Sequence, residues 1–338
     1  PGQANPIDSI AELYFRIGDF DKAEAKYREA LEIRPDFIGS CVGLAYVFAL
    51  KENYPESRRW IGELIARAPT ATQRLEGRTW EAYYDHFLGR WDDSRAGYQA
   101  VKDEAVKSGF PLFTGAADWF MSYLYADMGE YGLARKASQD YRDAVSKQSP
   151  QYHDYYSTDH LLRLALIEVK QGRVDAAKTA IKEAASLLPK VDDRDQVFLV
   201  LTQSICESEV DLAEDAPEKA IEAGSKIVPR NFPNMNSSSL SGYNLPFIKD
   251  VLARAYWKKG DLDKAIAEYE RLTTIDPKSR VRYLIHPLYH HRLGQLYEQK
   301  GLKDKARNQY ERFLEGWKDA DAVHPEIADA RRRMNSLR

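Results

Sequence analysis

A short motif recurs along the whole chain, and it constrains the fold more than any other feature. Each copy has a glycine or an equivalent residue, a polar residue, an apolar residue, two more polar residues and then an alanine, as in residues 18–23 and 260–265. An apolar pattern of helical period precedes each copy, and a proline such as Pro35, Pro69 or Pro277 follows the clearest copies. The sequence therefore predicts a series of helix–turn–helix units without strands.

Each position of the motif has a physical role. The glycine lets the chain leave the first helix in a left-handed conformation. The aspartate that often follows it can accept a backbone N–H at the start of the second helix. The proline ends the second helix because it cannot continue it. The alanines are small where two helices approach closely, so we predict that they are buried: Ala23, Ala177, Ala265 and Ala306.

Aligning the motif glycines divides the chain into about eight repeats, which begin near residues 4, 38, 75, 115, 158, 201, 246 and 287. We predict one helical solenoid over residues 4–323 and a C-terminal capping helix over residues 324–338. The capping helix has arginines at residues 331–333 mostly on its outer side, and an apolar face made of Ile327, Ala330, Met334 and Leu337. The sixth repeat, around residues 195–229, leaves two readings open: a degenerate repeat or an irregular helical pair.

These motifs resemble those of the tetratricopeptide-repeat family over nearly the whole chain. The resemblance implies an all-α fold, an α–α superhelix of about eight repeats plus the capping helix. In that family the first helix of each repeat lines a concave groove that binds a protein or peptide partner. The groove positions and their neighbours correspond here to Tyr46, Tyr83, Trp119, Tyr123, Asp250, Arg254, Trp257, His291 and Gln295. Aromatic residues in the front half favour apolar or proline-containing segments of the partner.

Two segments, residues 244–256 and 313–321, are similar to the C-terminal repeat regions of bacterial multidomain regulators. This resemblance implies the docking or sensory part of a larger regulator. The alternative function is a small-molecule-sensing regulatory domain, which the aromatic groove and two irregular stretches, residues 149–159 and 231–246, would suit. The first stretch can equally be a spacer within a longer repeat, whereas the second favours contact with a partner.

The sequence offers little for catalysis. It has no glycine-rich phosphate loop, no nucleophile elbow and no Cys-x-x-Cys pair, so we predict neither an enzyme nor a cofactor. His286 and His290 have the i, i+4 spacing of helical metal ligands. Pro287 is expected at the first helical position, however, which would leave His286 as a cap outside the helix. We therefore predict no metal site. Cys41 and Cys206 lie in apolar runs and are interpreted as small buried thiols.

Charge and hydropathy argue against two other classes of protein, nucleic-acid-binding proteins and membrane-spanning proteins. The formal net charge of −3 does not suit a nucleic-acid-binding surface, which needs basic residues gathered on one face. No stretch reaches the ~18 apolar residues of a membrane span. The chain begins Pro1-Gly2-Gln3 without a methionine, so we read it as a processed chain or part of a longer protein. A cytoplasmic location is favoured, and the oligomeric state is left open.

Overall fold

The computed structural model describes residues 3–225, 244–276, 283–321 and 323–337, apart from the side chain of Arg194. These residues form 17 α-helices and two short 3-10 helices, at Pro150–Tyr152 and Leu188–Lys190, with no strand among them. The predicted all-α class, with helices in sequential pairs, is therefore confirmed.

Sixteen of these helices form eight sequential pairs, in which first helices have odd numbers and second helices even numbers. The last helix is α17 (Pro325–Ser336). The pairs are α1 (Ala4–Ile17) with α2 (Phe20–Ile33), α3 (Ile38–Leu50) with α4 (Tyr54–Arg67), α5 (Ala71–Phe87) with α6 (Trp91–Ser108), α7 (Pro111–Asp127) with α8 (Tyr131–Gln148), α9 (His153–Lys170) with α10 (Val174–Leu187), α11 (Asp193–Ala213) with α12 (Pro217–Ser225), α13 (Val251–Lys259) with α14 (Leu262–Leu272), and α15 (Pro287–Gln299) with α16 (Lys303–Gly316).

The turn between the two helices of a pair contains a residue in the left-handed conformation. Gly18 and Gly260 have φ angles of 83° and 84° at two of these turns, as the motif predicts. Glu52 and Asp215 take the same conformation, with φ of 55° and 61°, where the motif has no glycine. Asp215 lies between α11 and α12, and Ala220, at the motif alanine, is fully buried. These features favour the degenerate-repeat reading of the sixth pair.

Side-chain caps begin the second helices α2 and α4. Asp19 accepts a hydrogen bond from the backbone N–H of Lys22 at 3.2 Å, and Asn53 accepts one from Glu56 at 3.3 Å. These bonds satisfy N–H groups that have no partner within the first helical turn. The prediction for the motif alanines is confirmed, because each of them is 0% exposed: Ala23, Ala177, Ala265 and Ala306.

A contact between tyrosine and glycine packs α2 against α3. A Cβ atom on Gly43 would lie only 2.3 Å from the ring of Tyr27, which is fully buried. The hydroxyl of Tyr27 donates to Glu12 on α1 at 2.7 Å. Gly294 and Tyr310 repeat this contact between α15 and α16, where the added Cβ would lie 2.7 Å from the ring. Second-helix rings thus fit against first helices at positions where only glycine leaves room.

The prediction of an irregular stretch over residues 149–159 is wrong for most of its length. After the 3-10 turn at Pro150–Tyr152, helix α9 begins at His153 and continues to Lys170. No glycine or proline follows Pro150 before residue 172, so the sequence contains nothing that breaks this helix. Two other sequence features lie outside the described residues, namely residues 231–243 of the second irregular stretch and Pro277.

The helices belong to two compact units. Unit 1 comprises residues 1–97, 229–248 and 270–338, and unit 2 comprises residues 98–228 and 249–269. Unit 1 therefore joins α1–α5 with α15–α17, although the two groups come from opposite ends of the sequence. Over the described parts of the chain, no helix is both long enough and apolar enough to cross a bilayer.

Candidate partner-binding site

In unit 1, another part of the chain covers two of the predicted groove residues. Tyr46 on α3 and Tyr83 on α5 are both 0% exposed. The side-chain amide of Asn244 donates to the hydroxyl of Tyr46. The ring of Phe247 lies 5.2 Å from that of Tyr83, between ring centroids, and 4.8 Å from that of His86. Residues 244–247, which we call the inserted segment, therefore lie against the first helices of the second and third repeats.

Further bonds fix the inserted segment to the C-terminal part of unit 1. The side-chain oxygen of Asn244 accepts the backbone N–H of Leu284 at 2.8 Å, and the carbonyl of Phe247 accepts the hydroxyl of Tyr289 at 3.1 Å. The expectation that Tyr46 and Tyr83 are open to a partner is therefore corrected. Residues far away in sequence, with the apolar and proline chemistry expected of a partner, already cover them.

His291 and Gln295 on α15 hold the last helix in place. Nε2 of His291 lies 3.0 Å from Oδ2 of Asp329, and the side-chain amide of Gln295 donates to the same oxygen at 3.3 Å. Burial lowers the pKa of His291, and its bond to Asp329 opposes that shift. Both side chains are thus engaged in packing α17 against α15, and His291 itself is buried.

The other two histidines near Pro287 also have hydrogen-bond partners within the chain. His286 caps α15 by accepting the backbone N–H of Leu288 at 3.3 Å, with Pro287 in the first turn, so that prediction is confirmed. His290 lies 2.8 Å from Glu52 through Nε2 and 2.7 Å from Gln309 through Nδ1. Among the described residues, no group of three His, Cys, Asp or Glu side chains could hold a metal ion. Cys41 and Cys206 are buried free thiols, as interpreted from the sequence.

In unit 2, Asp250 and Arg254 belong to a buried polar network. Asp250 is 0% exposed and accepts the hydroxyl of Tyr269 at 2.7 Å and Nε of Arg254 at 2.8 Å. Arg254 also donates to Glu209 on α11. These bonds connect α11, α13 and the residue before α13 with α14. The half-buried Trp257 lies on the same helix, α13.

Trp119 and Tyr123 belong to a larger group of rings in unit 2. The ring centroid of Trp119 lies 5.6 Å from that of Tyr123 and 6.4 Å from that of Tyr141. Tyr141 lies 6.0 Å from Tyr156. Tyr156 in turn lies 6.3 Å from Tyr152 and 5.5 Å from Tyr155. We call these six residues the aromatic cluster: Trp119, Tyr123, Tyr141, Tyr152, Tyr155 and Tyr156.

A buried arginine supports the aromatic cluster. Arg163 on α9 is 1% exposed, and its guanidinium carbon lies 4.6 Å from the ring centroid of Tyr141, 5.7 Å from that of Tyr123 and 5.8 Å from that of Trp119. Such contacts between a cation and ring faces are stabilising. The guanidinium also forms an ion pair of 2.7 Å with Asp159. Three of the six rings, those of Trp119, Tyr123 and Tyr141, therefore lie around a fixed positive charge.

Arg163 also belongs to a network of buried polar side chains. Nε of Arg163 donates to the hydroxyl of Ser138 at 3.3 Å, and that hydroxyl lies 2.8 Å from Nδ1 of His160. Burial and the positive charge of Arg163 lower the pKa of His160 to about 4. Burial raises the pKa of Asp159, while the charge of Arg163 and a hydrogen bond from Trp119 oppose that shift.

Most rings of the aromatic cluster keep some exposed surface. Tyr152 is 46% exposed, whereas Tyr123 is buried. The remaining four rings are half-buried: Trp119, Tyr141, Tyr155 and Tyr156. The sequence pointed to Trp119 and Tyr123, and separately to the tyrosines near residue 152. It did not indicate Tyr141, which comes from a second helix, or Arg163, whose position in an apolar run gave no signal.

Comparisons with protein-family models agree with the helix pairs. Residues 8–37 match one model described as tetratricopeptide repeat, and residues 250–279 and 288–315 match another of the same description. The chain contains tetratricopeptide repeats. The three matched segments lie in the pairs α1–α2, α13–α14 and α15–α16. Tetratricopeptide-repeat proteins are typically non-catalytic scaffolds for protein–protein interaction.

Several solved structures are similar to the chain at low identity. A tetratricopeptide repeat protein from Parabacteroides merdae is 10% identical, with 89% of this chain and 98% of that chain covered and a TM-score of 0.45. PilW, a type IV pilus biogenesis factor, is 18% identical, with 70% and 97% covered and a TM-score of 0.47. The Cut9–Hcn1 hetero-tetramer of the APC/C is 13% identical, with 97% and 54% covered and a TM-score of 0.45. Values of this size do not indicate a shared function. No curated protein sequence matches the chain.

Proposed function

We propose that the chain is a non-catalytic scaffold that binds a protein or peptide partner on the aromatic cluster of unit 2. The observation that carries this proposal is the partial exposure of five neighbouring rings, two of which, Trp119 and Tyr141, contact the buried Arg163. Contiguous exposed apolar surface of this kind typically marks an interaction site. Tyrosine and tryptophan also supply large, rigid contact area at a low cost in conformational entropy.

The partner is proposed to present an apolar, proline-containing segment. Unit 1 provides the precedent within the same chain, because Tyr46 and Tyr83 on first helices contact an inserted segment with the sequence Asn-Leu-Pro-Phe. Extended proline-containing segments bind aromatic surfaces at a small entropic cost, since they are already close to their bound conformation. Trp119 and the half-buried tyrosines would contact the partner, with Tyr123 and Arg163 supporting them from below.

A peptide selection tests this proposal. Random 12-residue peptides displayed on phage would be selected on the immobilised chain, and the enriched peptide would be titrated by calorimetry. We expect proline beside large apolar residues, and a loss of affinity of about 30-fold in Tyr156→Ala, since truncating a central aromatic residue costs roughly 2 kcal/mol. Tyr131→Ala is the matched control, because Tyr131 is a half-buried tyrosine of unit 2 outside the cluster whose hydroxyl donates to the carbonyl of Lys170 at 3.1 Å. Equal losses in both variants would contradict the proposal.

The resemblance of residues 244–256 and 313–321 supports a narrower role, as the docking or sensory part of a larger bacterial regulator. Under this role, the groove positions Asp250, Arg254, Trp257, His291 and Gln295 would shape the scaffold more than they contact a ligand. The full reading frame of the gene tests the role directly: a kinase, cyclase or DNA-binding head supports it, and a frame without any such head contradicts it.

A small-molecule sensor is the second candidate function, and one cleft favours it. This cleft in unit 1 has a volume of about 470 Å³ and is lined by residues that include Tyr54, Leu88 and Arg312. Its size suits a small ligand. Its cations, however, are paired within the protein, as in the bonds of Arg312 to Glu52 and of Arg58 to Asp85. A metabolite that raises the melting temperature of the chain by mass action would favour this function over peptide binding.

A further inference from the structure

Arg163, which contacts three rings of the aromatic cluster, has hydrogen-bonding capacity that the chain does not use. A guanidinium carries five N–H donors and no acceptor. Nε of Arg163 donates to the hydroxyl of Ser138 at 3.3 Å. Nη2 lies 2.7 Å from Oδ2 of Asp159, but this ion pair lacks the angles of a hydrogen bond. Within the described part of the chain, Nη1 has no hydrogen-bond partner at all.

An unused donor is unusual at this depth in a protein. Arg163 is 1% exposed, and buried polar groups nearly always have a hydrogen-bond partner. Leaving a buried donor unsatisfied costs free energy, which an oxygen atom of a bound partner would recover. The guanidinium of Arg163 therefore points to a ligand that brings a hydrogen-bond acceptor into the aromatic cluster.

The charges around Arg163 favour a neutral acceptor over an anion. The carboxylate of Asp159 already balances the guanidinium. A carboxylate of the partner would leave one net negative charge in a buried site, and an uncompensated buried charge is costly. A backbone carbonyl brings no charge. Unit 1 contains a comparable bond, because the carbonyl of Phe247 in the inserted segment accepts the hydroxyl of Tyr289 at 3.1 Å.

The carbonyl that precedes a proline suits this site best. Proline has no N–H, so the peptide unit before it brings an acceptor without a donor. An ordinary peptide unit would also bring an N–H that needs an acceptor of its own. The rings around the guanidinium, those of Trp119, Tyr123 and Tyr141, provide mostly apolar surface.

We propose that Nη1 of Arg163 donates to the backbone carbonyl that precedes the proline of the bound segment. This inference rests on the proposed function, and it extends the role of Arg163 from supporting the rings to recognising the partner. Trp119 and Tyr141 contact the guanidinium and keep exposed surface, so rotation of either side chain would open a path to Nη1. Such rotations are common when interfaces form.

The test removes this carbonyl from the proline-containing peptide selected on the original chain. In a second peptide, an (E)-alkene replaces the amide before the proline, which keeps the geometry of a trans amide but lacks the oxygen. Calorimetry should show that this peptide binds the original chain about tenfold more weakly, because hydrogen bonds to charged groups are strong.

Two double variants assign the lost bond to Arg163. Arg163→Met/Asp159→Asn removes both buried charges together, and it should bind the two peptides equally. The matched control is Lys178→Met/Glu214→Gln, which removes an exposed ion pair of unit 2. The control should discriminate between the two peptides as strongly as the original chain does.

Equal binding of the two peptides to the original chain would overturn the inference. A loss of unchanged size in Arg163→Met/Asp159→Asn would also overturn it, since another donor would then bind the carbonyl. If this variant does not fold, a crystal structure of the complex decides: the carbonyl oxygen is expected within about 3.2 Å of Nη1, and a longer distance contradicts the inference. The proposed function fails separately, because its failure would leave binding of the parent peptide unchanged in Tyr156→Ala.

Discussion

Unit 1 and unit 2 both contain aromatic rings on first helices, but the two sets of rings differ in what lies against them. In unit 1, Tyr46 and Tyr83 are fully buried beneath the inserted segment. In unit 2, Trp119 and its neighbours surround a buried arginine and keep exposed surface. Aromatic rings on first helices therefore do not all have the same role, because long-range contacts decide whether a ring belongs to the core or to the surface.

The largest loss of stability is expected where the inserted segment packs against the first helices of unit 1. Phe247→Ala would remove a ring that contacts Tyr83, His86 and Phe87. We expect it to lower the free energy of unfolding by about 3–5 kcal/mol, since large-to-small changes in a core leave a cavity. Urea denaturation measures this loss. Tyr152→Ala is the control and should cost less than about 1 kcal/mol, because Tyr152 is 46% exposed. A small effect of Phe247→Ala would mean that the inserted segment is not part of the core of unit 1.

The second prediction concerns the support beneath the aromatic cluster. Asp159→Ala would leave the buried Arg163 without its ion-pair partner. We expect a loss of about 3 kcal/mol of unfolding free energy, because an uncompensated buried charge is costly. The comparison variant is Glu214→Ala, which breaks the exposed pair of Glu214 with Lys178 and should change stability by less than about 1 kcal/mol. If both changes cost the same, Arg163 is not the rigid centre of the cluster.

The third prediction is a pH dependence of unit 2. The folded-state pKa of His160 is about 4, below its ordinary value of 6.5. Between these values the unfolded chain binds a proton that the folded chain does not, so stability is complete above pH 6.5 and falls as the pH drops towards 4. The loss should reach about 3 kcal/mol at pH 4, at ~1.4 kcal/mol per pH unit. Comparing urea midpoints of the original chain and His160→Asn over this range isolates the effect, and identical pH profiles would contradict it.

The smallest loss of stability is expected from overpacking the contact between α2 and α3. Gly43→Ala would place a methyl group 2.3 Å from the ring of Tyr27, one turn before Tyr46 on α3. We expect a loss of about 1–3 kcal/mol, because a packed interior accommodates an extra methyl group only by shifting its neighbours. Gly62→Ala is the control, since a Cβ atom there meets nothing within 4 Å. A neutral Gly43→Ala would show that α2 and α3 are less tightly packed than described.

Local features of the fold could be predicted from the sequence because each depends on a few neighbouring residues. The left-handed turn at Gly18, the burial of Ala265 and the cap by His286 all follow from local steric or hydrogen-bonding requirements. The helix at His153 was missed because the polar, tyrosine-rich residues after Pro150 resemble a loop in composition, although no helix breaker follows Pro150 before residue 172.

The candidate site was harder to predict because it depends on residues far apart in sequence. Tyr46 is hydrogen-bonded by Asn244, a residue far away in sequence. No local sequence pattern indicates which distant segment a ring will contact. Arg163 lies within an apolar helical run, so its charge gave no hint that aromatic rings enclose it. Repeat register identifies which residues occupy equivalent positions. It does not show which of them the rest of the chain covers.

The most direct test of the comparison measures stability and peptide affinity together for Trp119→Ala and Tyr83→Ala. The probe is the proline-containing peptide selected on the original chain. We predict that Trp119→Ala weakens peptide binding by about 30-fold and lowers the melting temperature less than Tyr83→Ala does, because Trp119 is only half-buried. Tyr83→Ala should lower the melting temperature markedly and keep its affinity at temperatures where it is folded, because Tyr83 is 0% exposed. The reverse result, with affinity lost in Tyr83→Ala and retained in Trp119→Ala, would contradict the assignment of the open aromatic surface to unit 2.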